Sequence, residues 1–281
     1  MRFRSRFTSR FEPTRFTSRF DVGRDSVFRQ NTGRSIEPPD PLYLTATGGT
    51  ITEDGDFKIH TFTATDNFVV TELGSDPTFG ARLERVLIVA GGGGRRRDAV
   101  AGFAAPGGAG EMIEWDEVSI AVGTYPVVVG AGGPQTLASG GTSAGSSGSS
   151  SSFNGNSANG GGGGRLYANG VAGGSGGGAG STGVATTGGA SVKTGTAGTS
   201  YGNAGGDSAP SSSSGSGGAG SAGGATTAGA GRSNDISGTS IEYAKGARAE
   251  SGAPNTPGSG ASAATSSPGG SGIAIIRYKF K

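Results

Sequence analysis

Arg85-Val-Leu-Ile-Val-Ala-Gly-Gly-Gly-Gly94 joins a short run of aliphatic, largely β-branched residues to four consecutive glycines. A run of this length, stopped by glycine, is a strand signal, and no helical window lies beside it. The same strand-then-glycine order recurs at Val127-Val-Val-Gly-Ala-Gly-Gly133. Both imitate the opening of a dinucleotide-binding fold, whose chemistry needs a helix N-terminus after the glycines and an acidic residue about 20 positions on. Here Arg95-Arg96-Arg97-Asp98 follows the first run and Pro134 the second, so neither continues as a helix. No GxxxxGK[ST] phosphate loop exists, and no cofactor is expected.

Outward from this stretch the chain repeats the strand signal. Leu42 to Thr47, Thr50 to Thr52 and Phe57 to Thr63 precede it; Asn67 to Thr71, Glu111 to Trp115, Val118 to Val122 and Tyr125 to Val129 flank it. In Phe57-Lys-Ile-His-Thr-Phe-Thr63 the odd positions face one way and Lys58, His60 and Phe62 the other, the period of two of a strand. Asp54-Gly55 predicts a tight hairpin. Ile236 to Tyr243 predicts a further strand, and Gly272 to Phe280 a strong closing one. The expected fold is all-β: an antiparallel sandwich-like frame over 42–130 and 236–281 that carries glycine-rich loops over 131–235.

Composition sets the limits. Of 281 residues 60 are glycine, 32% are apolar, and there is no cysteine and one histidine. Disulfides, thiol chemistry and zinc sites of Cys and His are excluded, so no metal site is expected. No stretch approaches the roughly 18 apolar residues of a membrane helix, and the N-terminus lacks an apolar signal core, so a soluble protein not exported by that route is expected.

Between Gly130 and Asp235 nearly everything is Gly, Ser, Ala or Thr, with apolar punctuation such as Phe153, Leu166 and Tyr201. Two orderings are open. Such a tract is a flexible coil if it buries too little to offset its conformational entropy. Alternatively, extended polyproline-II-like strands pack closely where glycine removes the side chain, as polyglycine-II does. Glycines out of triplet register exclude collagen, and strands at both ends of the tract favour long decorated loops on a frame over a free tail.

The first 41 residues form a separate object, an arm and a proline-rich linker ending at Pro41. Residues 1–34 hold nine arginines against Glu12, Asp21 and Asp25, a net +6, which leaves −4 for the rest of a chain of net +2. Phe7-Thr-Ser-Arg-Phe11 recurs as Phe16-Thr-Ser-Arg-Phe20, with an imperfect earlier copy from Phe3. Arginine beside an aromatic could serve nucleic acid or membrane binding. Short repeated anchors suit an arm that orders on a protein partner better, which makes Phe3, Phe7, Phe11, Phe16 and Phe20, with Arg6, Arg10, Arg15 and Arg19, the docking candidates.

No catalytic constellation is expected. A triad would need His60, whose strand setting predicts a solvent-facing or half-buried side chain. Asp54, Asp56, Glu111, Glu114, Asp116 and Glu117 are turn or strand-edge acids of the kind usually solvated. Arg95, Arg96 and Arg97 form the one compact basic cluster outside the arm and are the receptor-contact candidates, with an acidic glycan or phosphate as the matching ligand.

Six segments taken together resemble the glycine-rich domain of phage tail-fibre and tail-tip adhesin proteins: Ala46 to Thr52, Phe57 to Thr63, Val86 to Gly94, Tyr125 to Gly133, Ile236 to Ala244 and Gly269 to Tyr278. They lie in order over about residues 45 to 279. The resemblance implies a virion protein, receptor-binding in many members, with a β-frame, glycine-rich loops and no catalytic residue, cofactor or small-molecule substrate. Other virion proteins would receive the arm, a host surface receptor or glycan would meet the loops, and a homotrimer is expected. The alternative is an architectural virion subunit, such as a capsid decoration or tail-associated protein, with no host contact. The Arg-Phe arm and the insertions Arg95 to Asp98 and Ser211 to Ser214 depart from the family pattern.

Overall fold

A computed structural model describes residues 40–99, 103–181, 183–248, 256–262 and 267–281. The chain divides at Asp40/Pro41, and every described strand belongs to the second unit, Pro41–Lys281. The arm residues Phe3, Arg6, Phe7, Arg10, Phe11, Arg15, Phe16, Arg19 and Phe20 lie outside the described residues.

The described chain is all-β and contains no α-helix. Its first strands are β1 (Thr45–Thr47), β2 (Thr50–Asp54), β3 (Phe57–Phe62), β4 (Asp66–Glu72) and β5 (Arg82–Val89). Next come β6 (Arg96–Asp98), β7 (Ala104–Ala105), β8 (Met112–Ser119), β9 (Gly123–Val128) and β10 (Thr136–Ala138). Five short strands come after them: β11 (Ser151–Phe153), β12 (Asn156–Ala158), β13 (Arg165–Leu166), β14 (Ala179–Ser181) and β15 (Thr199–Tyr201). The last are β16 (Ser212–Ser213), β17 (Arg232–Asn234), β18 (Ile241–Tyr243) and the long β19 (Ile273–Lys279).

Two sheets make the frame, one of six strands in the order β15-β8-β5-β19-β3-β2 and one of five in the order β1-β4-β9-β11-β12. The C-terminal strand β19 sits at the centre of the first, antiparallel to both β5 and β3. The period of two then sorts its side chains onto two faces. Val86, Ile88, Phe62, Ile276 and Tyr278 face the five-stranded sheet and pack on its Phe68, Val127 and Phe153. Leu87, Val89, Ile59, Met112, Ile273 and Ile275 face the other way, onto Ala109, Ala219, Ile236 and Tyr243. Each such side chain contributes about 1.5–3 kcal/mol on burial.

Asp54-Gly55 forms the expected hairpin, with Asp54 opposite Phe57 and Gly55 at φ +56°. Two strand expectations need correction. The segments 111–115 and 118–122 are not separate: β8 runs unbroken from Met112 to Ser119. Asp116 stands opposite Arg85 in the ladder, whereas Glu117, at φ +54°, has no partner in the register and its carboxylate reaches Arg82 at 3.1 Å. Nor is 236–243 one strand. The Gly238 N–H donates to Asp235 O, and Gly238 at φ +85° turns the chain, so only Ile241 to Tyr243 is extended, paired with β17.

The glycine tract is ordered: within it Gly162 donates to Ser175, Gly177 to Val171, Gly189 to Gly177 and Gly205 to Gly189, and the glycine runs of the frame at 90–94 and 107–111 pack into the same bundle. Along 90–94, Ala90 and Gly93 donate to Glu111 and Gly108, Gly91 and Gly94 donate to Ser149 and Ser146, and Gly92 donates to Gly270. Donors three residues apart thus reach the same neighbour, the period of a polyproline-II-type helix with three residues per turn. The same segment accepts from Gly161 and Gly164, from Gly133 and from Ala261. It is therefore ringed by six extended segments, around 108, 132, 147, 162, 260 and 270. Residues 107–111 repeat the pattern, with Gly107 and Gly110 donating to Ala261 and Gly258, and Gly108 and Glu111 to Gly162 and Asn159.

These glycines are needed for space and not for backbone freedom. None of Gly91 to Gly94 has a positive φ, yet a Cβ on Gly92 would lie 1.8 Å from Ser259 O and one on Gly132 1.7 Å from Gly269 O. The packed alternative holds over the flexible one: backbone hydrogen bonds in three directions replace the apolar core that the composition cannot supply.

Candidate functional site

The lattice segments run out from the frame and back. β5 continues into 90–94 and the chain returns through 106–111 into β8; β9 continues into 130–134 and the chain returns through 145–149 into β11. The intervening turns therefore lie together at the end remote from the sheets. There β6 pairs with β10 and β7, and β14 pairs with β13 and β16. An Ala144–Arg165 bridge joins the second turn to the third.

One arginine ties this tip together. Arg96 is 0% exposed. Its Nε donates to Ser143 Oγ at 2.8 Å, its Nη1 to the carbonyls of Arg97 and Ala138, and its Nη2 to Gly140 O. The buried Asp98 carboxylate accepts from Gly140 N at 2.9 Å and from the Tyr167 hydroxyl at 3.0 Å, joining three turns. Desolvation, and then the Asp98 carboxylate, raise the Tyr167 phenol above its usual value. Arg95, 2% exposed, donates from Nε and Nη2 to Gln135 Oε1 at 2.8 and 2.6 Å. Burial, and then the charge of Arg97, lower its guanidinium from the usual value.

The expected basic cluster is thus not a surface cluster. Arg95 and Arg96 point inward as scaffolding, and Arg97 alone of the three is exposed. Alternation along β6 puts Arg96 and Asp98 on the inner side and Arg97 on the outer, while Arg95, which precedes the strand, is held inward by Gln135. The surface beside Arg97 is aliphatic and uncharged where Leu137, 62% exposed, stands opposite it on β10; Val184, in the turn after β14, is 72% exposed.

The remaining candidates separate. His60 is fully buried between the sheets, contrary to the exposed or half-buried setting expected, because Tyr278, Phe68 and the Gly48 carbonyl close over it. Asp54 belongs to Arg277, at 2.7 Å. Glu114 accepts from Arg232, Asn234 and Tyr201. His60, Asp54 and Glu114 thus sit in three distinct hydrogen-bond sets. Glu111, expected to be solvated, is buried and accepts from Asn159 N, Thr194 N, Thr194 Oγ1 and Gly195 N. Among the described residues no three His, Asp or Glu side chains converge as metal ligands.

The frame and the lattice together define an all-β protein stabilised by glycine packing. A family model described as a glycine-rich domain matches residues 75–279, and the chain belongs to that family. No curated protein matches the chain.

Proposed function

We propose that this chain is a non-enzymatic structural protein of a phage particle, a tail-fibre or tail-adhesin component. The arm docks it on the virion through Phe3, Phe7, Phe11, Phe16 and Phe20 and the neighbouring arginines, and the turns at the lattice tip meet the host receptor. One observation carries this reading: the turns that join the lattice segments are gathered at one end of a rigid bundle, braced from within by Arg96 and Asp98. A bundle of five-residue segments at about 3.1 Å per residue holds them about 15 Å clear of the sheets. Surface loops on a rigid scaffold are where recognition is usually carried, because they change without disturbing the fold. The six-segment resemblance to tail-fibre and tail-tip adhesins supplies the virion setting.

The test is immunogold labelling of intact particles with an antibody against residues 130–270, alongside adsorption to the propagating host with the antibody present. Label at the distal fibre with blocked adsorption is expected. Label on the capsid or tail body with normal adsorption would instead make the chain an architectural subunit.

A further inference from the structure

At the foot of the frame, where β3 begins and β19 ends, lies a groove of about 330 Å³ lined by Leu42, Tyr43, Lys58, Phe280 and Lys281. That is the lower end of the range of ligand pockets, room for a short segment. The foot is the end opposite the glycine lattice, since β19 leaves the lattice at Gly272 and runs away from it.

The groove has an apolar wall and a cationic rim. Leu42, 62% exposed, is among the most exposed large aliphatics of the described chain. The Phe280 ring holds two ammonium groups, Lys58 Nζ at 4.8 Å and Lys281 Nζ at 4.7 Å from its centroid. Their electrostatics differ. Lys281 is neutralised by Glu53 at 3.5 Å, and the next lysine, Lys279, by Asp56 at 4.0 Å. Glu53 stands directly across the ladder from Lys58 but turns its carboxylate to Lys281, so among the described residues no carboxylate lies within 4.0 Å of the Lys58 ammonium. A cation beside an aromatic and an aliphatic side chain favours a ligand that is apolar and carries an anion, and it disfavours a basic one.

We propose that this groove docks an acidic, apolar peptide segment of a partner protein, its carboxylate on Lys58 and its side chains against Leu42 and Phe280. Such docking is independent of the role given to the tip: it concerns the other end of the frame and holds for an adhesin or an architectural subunit alike.

The experiment uses the full chain and two fluorescein-labelled eight-residue peptides, one alternating Phe and Leu with Asp and Glu, the other identical except that lysine replaces every acid. Fluorescence anisotropy is read for the wild type and for Lys58→Gln, with a melting curve for each to show that the fold is intact. The acidic peptide is expected to saturate and to bind about two- to fivefold more tightly than its lysine twin, the scale of one rim ion pair, and Lys58→Gln is expected to abolish that difference. Equal binding of the two peptides, a preference for the lysine twin, a Lys58→Gln protein that keeps the full preference, or no saturable binding would each overturn it.

Discussion

The Tyr278 hydroxyl lies 3.2 Å from His60 Nε2, a contact between residues 218 apart that fastens the last strand of the frame to one of its first. His60 Nδ1, 2.8 Å from the Gly48 carbonyl, is the nitrogen that carries the proton, so Nε2 accepts from Tyr278. The ring stacks edge-on against Phe68 at 5.1 Å. Among the described residues the charge that acts on this imidazole is that of Lys58, which disfavours its protonation.

Acid and alkali should each loosen this contact. Burial, offset in part by the Gly48 hydrogen bond, lowers the His60 pKa below 6.5. The unfolded chain therefore takes up a proton first as pH falls, and stability is lost below about pH 6.5. Desolvation pushes the Tyr278 phenol up to about 12, so its contribution is intact below about pH 10 and is lost as pH rises from there toward 12. Melting temperature against pH should be flat from about 7 to 9 and fall on both sides. In His60→Phe the acid-side slope attributable to this group should vanish; an unchanged slope would assign it elsewhere.

Glycine substitutions should divide by place, not by backbone angle. Gly92→Ala and Gly132→Ala each drive a methyl group into a backbone carbonyl and should cost about 3 kcal/mol or more, the upper end of overpacking penalties. Gly183 has open space around it and no positive φ, so Gly183→Ala should be neutral or gain about 0.4–1 kcal/mol. Urea denaturation of the three variants measures this directly.

Glu111→Ala removes a buried acceptor shared by Asn159, Thr194 and Gly195. Leaving their amides unpaired should cost about 3 kcal/mol or more. Hydrogen exchange should accelerate first at residues 193–196, where two of those amides lie.

At the tip, Arg96→Ala and Arg97→Ala should behave differently although the residues are adjacent. Loss of Arg96 empties a fully buried site and removes its hydrogen bonds to Ser143, Arg97, Ala138 and Gly140, and should cost about 2–4 kcal/mol, with faster proteolysis of 135–144. Arg97 is exposed and its loss should cost under about 0.5 kcal/mol. If adsorption is carried by the tip, Arg97→Ala lowers it without changing the melting temperature.

The frame was legible because strands advertise themselves. Alternation in Phe57 to Phe62, the aliphatic run before Gly91 and the Asp54-Gly55 turn each carry a side-chain or φ signal. The lattice was legible only as one of two options, since every glycine looks alike: whether Gly92 is a hinge or a close contact depends on Ser259, 167 positions away, and periodicity holds no trace of that. The tip was misread for a related reason. Arg95, Arg96 and Arg97 look equally solvated until the neighbouring turns supply acceptors for two of them. Glu111 likewise gives no signal of burial, because its partners are mostly backbone amides of a distant loop.

Above all, the glycine tract is a hydrogen-bonded bundle and not a flexible chain. Native-state hydrogen exchange at the amides of Gly162, Gly177, Gly189 and Gly205 tests this most directly. Protection comparable to that of β5 is expected, since each of the four donates to a carbonyl inside the bundle. Exchange of these amides at the rate of an unstructured glycine peptide, with β5 still protected, would contradict it.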